Sequence, residues 1–206
     1  MRWTSLVLIL LAVVERALGG CAYADLNLPA NAFILAADSS CISTQPVCAL
    51  RPNCTVYSSF STKSNSFAYL DAIGDLSGYT QPNLTVSNAS YLTLAKMNLP
   101  STLTNLTLTN ITARIDLGAI ATTQWSSLQG LTFYLSTIKI SNGINWPPSL
   151  RFVVFKGTDL VNIPQGLPST VQSLAFQANQ LTDLNYLPPN LTFLYDETTG
   201  LGAHLL

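Results

Sequence analysis

The chain has 206 residues, a formal net charge of -1, and only 9% charged residues against 48% hydrophobic ones. Charged residues make up about a quarter of a typical soluble domain, so neutral Ser, Thr and Asn must supply most of the polar surface. The few Lys and Arg are scattered and form no basic face, which excludes a nucleic-acid reader; the length suits one domain.

Residues 1–20, MRWTSLVLILLAVVERALGG, read as a signal peptide. Arg2 is the basic start, Leu6–Val14 the apolar core, and Ala17-Leu18-Gly19 the small-x-small cleavage pattern. The apolar run ends at Glu15-Arg16, far short of the roughly 20 residues that span a bilayer. Leu18-Gly19-Gly20-Cys21 offers a second reading, a bacterial lipobox with an acylated Cys21. Glu15 and Arg16 interrupt its apolar run, and acylation would leave an odd number of Cys. No later segment is long and apolar enough to cross a membrane, so the expectation is a secreted or extracellular chain, cell-surface if it belongs to a longer receptor.

Residues 21–60 hold all the cysteines: Cys21, Cys41, Cys48 and Cys54. An even set in an exported chain implies two disulfides, with the pairing open. Their spacing fits no zinc pattern and no His lies nearby, so neither a metal nor another cofactor is expected. Asn-x-Ser/Thr sequons at Asn53, Asn83, Asn88, Asn105, Asn110 and Asn190 suit the same compartment as glycan acceptors.

From residue 61 onward one phrase recurs: apolar-x-x-apolar-x-apolar. It stands at Leu103-Leu106-Leu108, Leu128-Leu131-Phe133, Leu150-Val153-Phe155, Val171-Leu174-Phe176, and Leu191-Leu194 with Asp196 in the last place. The first positions step by 25, 22, 21 and 20 residues. A sixth copy reads Ala89-Leu92-Leu94-Met97-Leu99, only 14 residues ahead of the next, and Phe67-Leu70-Ala72 is a partial seventh. Leu-Pro or Pro-Pro pairs (Leu99-Pro100, Pro147-Pro148, Leu167-Pro168, Leu187-Pro188) precede the phrase and hold the approach extended.

The fullest copy, Val171-x-x-Leu174-x-Phe176-x-x-Asn179-x-Leu181, resembles the leucine-rich repeat, whose pattern is L-x-x-L-x-L-x-x-N/C-x-L at 20–29 residues. The resemblance covers roughly 85–206. It implies a leucine-rich repeat solenoid: a right-handed coil with a concave parallel β-sheet and a mostly irregular or short 3-10 convex side. Positions 1, 4, 6 and 11 of each unit would fill the coil, and position 9 (Ser136, Thr158, Asn179, Thr199) would bond turn backbone. Residues 21–60 would be a disulfide-bridged N-terminal cap, with Ala30–Ala37 lying on the first coil, and 61–206 the repeats. Nothing after Leu201 spells a closing coil, so the last edge is expected to be bare or continued by further sequence.

Catalysis finds little support. His204 is the only histidine, so no Ser-His-acid set forms within a scaffold, and adjacent Asp196 and Glu197 would face opposite ways on a strand. The expectation is no enzyme but a recognition module that binds a protein, peptide or glycan on the concave face. Positions 3, 5 and 7 would face that ligand. The units from 89 and 103 put Tyr91, Thr93, Ala95, Asn105, Thr107 and Thr109 there. The later ones put Tyr134, Phe152, Lys156, Gln177, Phe193, Tyr195 and Glu197 there. Sugars on Asn105 and Asn110 would obstruct the first half, which moves the candidate site to the second. The competing reading is a structural wall or matrix glycoprotein whose repeats only stack.

Overall fold

The computed structural model describes residues 20–60, 64–117, 125–140, 144–196 and 203–205. The signal-like stretch up to residue 19, Glu197 and Thr199 lie outside them. The fold is a parallel β-solenoid with almost no helix among the described residues. Each coil contributes one strand to a main sheet: β3 (Ser66–Ala68), β5 (Asn83–Ser87), β6 (Asn105–Thr109), β8 (Gly130–Tyr134), β10 (Phe152–Lys156), β11 (Ser173–Ala175) and β12 (Phe193–Tyr195).

The repeat phrase and the strand register coincide. Position 4 stacks on position 4 down the sheet, Leu84 on Leu106, Leu131, Val153, Leu174 and Leu194. All are buried, and alternate residues of a strand face opposite sides, so the intervening residues meet solvent. Position 6 builds a second column in which the rings of Phe133, Phe155 and Phe176 stack at 5.6 and 5.5 Å. Each such buried side chain contributes about 1.5–3 kcal/mol, and only its neighbours in adjacent coils make that burial complete.

The coil start is equally regular. The N–H of the position-1 residue donates to a proline carbonyl three residues back at Leu103, Leu150, Val171 and Leu191, at 3.1–3.2 Å. Past the strand, position 8 turns through the left-handed region in each coil where that position is among the described residues: Tyr69, Asn88, Asn110, Leu135, Gly157 and Ala178 have φ between 48° and 61°. Asn and Gly take that conformation readily; Tyr, Leu and Ala do not.

Position 9 ties coil to coil as its residue types suggest. Buried Asn179 accepts from the Thr158 N–H (3.0 Å), the Thr158 hydroxyl (2.8 Å) and the Leu160 N–H (3.2 Å), and donates to the Phe155 and Gln177 carbonyls (2.7 and 3.2 Å). Ser136 does the same with less: it accepts from the Ile111 N–H at 3.1 Å and donates to the Tyr134 carbonyl at 3.0 Å.

The first units differ from the sequence reading. The coil before β6 starts at Gln81, and its strand is β5, paired Leu84 to Leu106 and Val86 to Leu108. The phrase Ala89–Leu99 lies on the return side, where Thr93 bridges Ala72 and Asn98 bridges Asp75. Leu92 and Leu94 face the same core from the opposite wall, which is why they mimic a unit. Phe67 pairs with Val86 and so fills position 6, not position 1.

The return side is also more ordered than expected. Short strands β1 (Ile34–Ala36) and β4 (Ala72–Ile73) run parallel, as do β7 (Ile115–Asp116) and β9 (Ile138–Lys139). At the far end β13 (Ala203–Leu205) pairs antiparallel with β12, so that edge is covered rather than bare.

The disulfide-bridged N-terminal segment is built on β1. Leu35 and Ala37 face the solenoid core, while Ile34 and Ala36 join Tyr23, Leu50 and Ala72 in a smaller cluster. β2 (Cys48–Leu50) pairs antiparallel with β1. The bridges are Cys21–Cys54 and Cys41–Cys48. Tyr23 locks the cap to the first coils: its hydroxyl donates to Asp38 and accepts from the Asp75 N–H at 3.0 Å. Burial, reinforced by Asp38, holds this phenol well above its usual range. Gly74 makes the room, because a Cβ there would lie 2.5 Å from the Tyr23 ring.

Candidate ligand-binding face of the main sheet

With the first units corrected, the solvent face reads differently at its N-terminal half. Asn83, Thr85 and Ser87 stand where Tyr91, Thr93 and Ala95 were expected, beside Asn105, Thr107 and Thr109. The half is a set of polar ladders. Asn105 Nδ2 donates to Asn83 Oδ1 at 2.9 Å and to the Thr104 hydroxyl at 3.0 Å, and Asn110 Nδ2 donates to Asn88 Oδ1 at 2.8 Å. Four of the sequon asparagines are therefore two stacked pairs, a full coil apart. Asn105 leans over β8: a Cβ on Gly130 would meet its Oδ1 at 2.2 Å. The other two sequons are exposed on turns. Asn53 Oδ1 accepts from the Thr55 N–H at 3.1 Å, and Asn190 Nδ2 donates to the Ser169 carbonyl at 2.9 Å.

The C-terminal half is apolar and uneven. Phe152 stands 50% exposed, because its neighbours in register are Gly130 and Ser173. Across Ser173 lies Phe193, 40% exposed. Its ring lies parallel to that of Tyr195, with centroids 6.4 Å apart. β11 contributes only Ser173 and Ala175 between these walls. The result is a trough over β11, bounded by Phe152 and Val154 on one side and by Phe193 and Tyr195 on the other. Strands sit about 4.8 Å apart, so the walls are separated by about 10 Å. At one end Lys156 holds its ammonium 5.6 Å over the Tyr134 ring, an arrangement worth roughly 0.5–1 kcal/mol at an exposed site. Gln177 follows Ala175 on the trough floor and is half-buried. Lys156 is the only charged residue of these columns among the described residues.

The structure thus brings Tyr134, Phe152, Lys156, Gln177, Phe193 and Tyr195 together on one face, with Glu197 outside the described residues. Sequence reading missed Asn83, Thr85 and Ser87, whose strand begins with a polar position 1. It also missed the small pair Ser173 and Ala175, whose signal is their size between two aromatic columns. No family model, curated protein or solved structure matches this chain, so function has to be read from the face itself. No helix among the described residues is long and apolar enough to cross a membrane.

Proposed function

We propose that this chain is an extracellular recognition module of the leucine-rich repeat type, which binds an extended segment of a protein or peptide partner on the C-terminal half of its main sheet. The trough over β11 carries this reading. Aromatic walls flanking a floor of small residues suit a backbone laid along the strand, with side chains packed against Phe152 and Tyr195. Two disulfides and sequons on exposed residues support an extracellular setting. Glycans on Asn83, Asn88, Asn105 and Asn110 would cover the polar half and leave the trough open.

The test is a displayed random-peptide library selected on the immobilised full chain, followed by affinity measurements with a Phe152→Ser/Tyr195→Ser double variant. Truncated aromatic anchors typically cost at least 1–2 kcal/mol each. The double variant should therefore lose about a hundredfold or more while keeping the parent's unfolding midpoint. Unchanged affinity in the folded variant would sink the proposal. Failure to select any peptide, together with co-fractionation of the chain with insoluble matrix, would favour a structural glycoprotein instead.

A further inference from the structure

Away from the sheet face, on the return side of the C-terminal coils, lies a half-open groove of about 480 Å³. That falls inside the range of small-ligand sites, roughly 300–1,000 Å³. Its apolar floor is formed by Ile138, Leu160 and Ile163, and its polar walls by Arg114, Asp159, Asp183 and Asn185. Arg114 and Asp159 are exposed, and neither has an ion-pair or hydrogen-bonded side-chain partner among the described residues. Tyr186 completes the wall.

Tyr186 is in the wrong conformation for its residue type. Its φ is +68°, a true outlier for a bulky side chain. The preceding coil shows what the position asks for. Gly166 stands at the equivalent place, directly before Leu167-Pro168 as Tyr186 stands before Leu187-Pro188, and has φ +75°. Packing does not repay the tyrosine. It is 60% exposed, with no hydrogen bond or ring contact from its side chain among the described residues. Asp159, across the groove, is also left-handed, at φ +58°. Asp adopts that region readily, so Tyr186 is the strained residue at this cavity, and such an outlier in a cavity wall points to a functional role.

We infer that this groove binds a short neutral saccharide, with Tyr186 as the stacking platform. A pyranose offers an apolar ring face to an aromatic side chain and a rim of hydroxyls to planar polar groups. Tyr186 and the isoleucine floor supply the first. The carboxylates of Asp159 and Asp183, the Arg114 guanidinium and the Asn185 amide supply the second, as both acceptors and donors. Charges of both signs around the rim disfavour a strongly ionic ligand. The site shares no residue with the trough over β11, and the two proposals stand or fall separately.

The experiment uses the full chain on an immobilised panel of short neutral oligosaccharides, then calorimetry with the best-retained one. The decisive variant is Tyr186→Gly, which copies Gly166. It should fold with an unchanged or higher melting temperature and bind at least about tenfold more weakly. Tyr186→Phe should keep most of the affinity, Arg114→Gln should lose part of it, and Phe152→Ser on the sheet face should leave it unchanged. A structural role for Tyr186 would instead lower the melting temperature of Tyr186→Gly. That result would overturn the inference, as would undiminished saccharide binding by Tyr186→Gly. Retention of no oligosaccharide by the parent chain, or capture of a peptide by this groove in place of sugar, would overturn it too.

Discussion

Asn179 carries more hydrogen bonds than any other side chain described, and replacing it tests how the coils hold together. Asn179→Leu removes five of them at once. The Thr158 N–H, the Thr158 hydroxyl and the Phe155 carbonyl then lie in buried surroundings without Asn179 as partner, while the half-buried Leu160 N–H and Gln177 carbonyl can turn to water. An orphaned buried group costs about 1–3 kcal/mol. Three of them at about 2 kcal/mol each, less about 1 kcal/mol returned by leucine's extra apolar contact, give a net loss of about 5 kcal/mol. That is a large share of the roughly 5–15 kcal/mol of a typical domain. Urea unfolding followed by circular dichroism and tryptophan fluorescence measures it. Trp146 is a local reporter, since its ring meets Phe155 edge-on at 6.4 Å. A Thr158→Val partner variant completes a double-mutant cycle, and contact between the two side chains predicts a coupling of at least about 0.5 kcal/mol. A loss below about 1 kcal/mol, or strict additivity with Thr158→Val, would refute the view that position 9 ties the coils.

At position 8, Ala178→Gly should stabilise the chain by about 0.5–1 kcal/mol, and Gly157→Ala should destabilise it by about 1–2 kcal/mol, because the left-handed turn penalises a Cβ; an added Cβ at 157 would also lie 2.9 Å from Leu135 Cδ2. Thermal unfolding of the pair should show opposite shifts in midpoint. Gly130→Ala pushes the Asn105 amide off its partners and should cost about 1 kcal/mol, and adding Asn105→Ala should recover most of the cost of the alanine at 130. The bridge Cys21–Cys54 closes 33 residues and Cys41–Cys48 closes 7, so loop-closure entropy predicts losses of about 3.7 and about 2.4 kcal/mol for the respective Cys→Ser pairs. Denaturant midpoints ranked the other way would show that the cap draws its stability from native contacts rather than from chain closure.

The later coils were legible because their apolar residues occupy positions 4 and 6 of the strand and little else competes. Leu106, Leu131, Val153, Leu174 and Leu194 announce their register by spacing alone. The coil from 81 was hidden for a physical reason. Gln81 at its head is polar, its strand keeps only Leu84 and Val86, and the return-side run Leu92–Leu99 faces the same core with the same period. A solenoid has two walls around one core, and a spacing rule cannot tell which wall an apolar pair belongs to. The disulfide pairing was equally unreadable, since it depends on how β1 and β2 bring Cys41 next to Cys48. The pairing of β13 with β12 is made by backbone, which leaves little trace in side-chain pattern. On the candidate face, the aromatic residues could be listed from sequence, but the trough exists only because register places Ser173 and Ala175 between them.

The distribution of strain separates the two halves of the molecule. At the left-handed turn the coils of β5 and β6 use Asn88 and Asn110, which suit it and also form a ladder. From β8 onward, among the described residues, only Gly157 suits it, while Leu135 and Ala178 carry a Cβ there, and Asp159 and Tyr186 are left-handed at further places. Tyr69 is the exception in the first coil. A solenoid's stability is close to a sum over coils and their nearest neighbours, so strain in one coil is felt by two neighbours and not by the whole. A coil can therefore hold unfavourable conformations provided its position-9 tie is strong. That is where Asn179 sits, in the coil of Tyr186 and bonded to the coil of Asp159 with the fullest set of bonds.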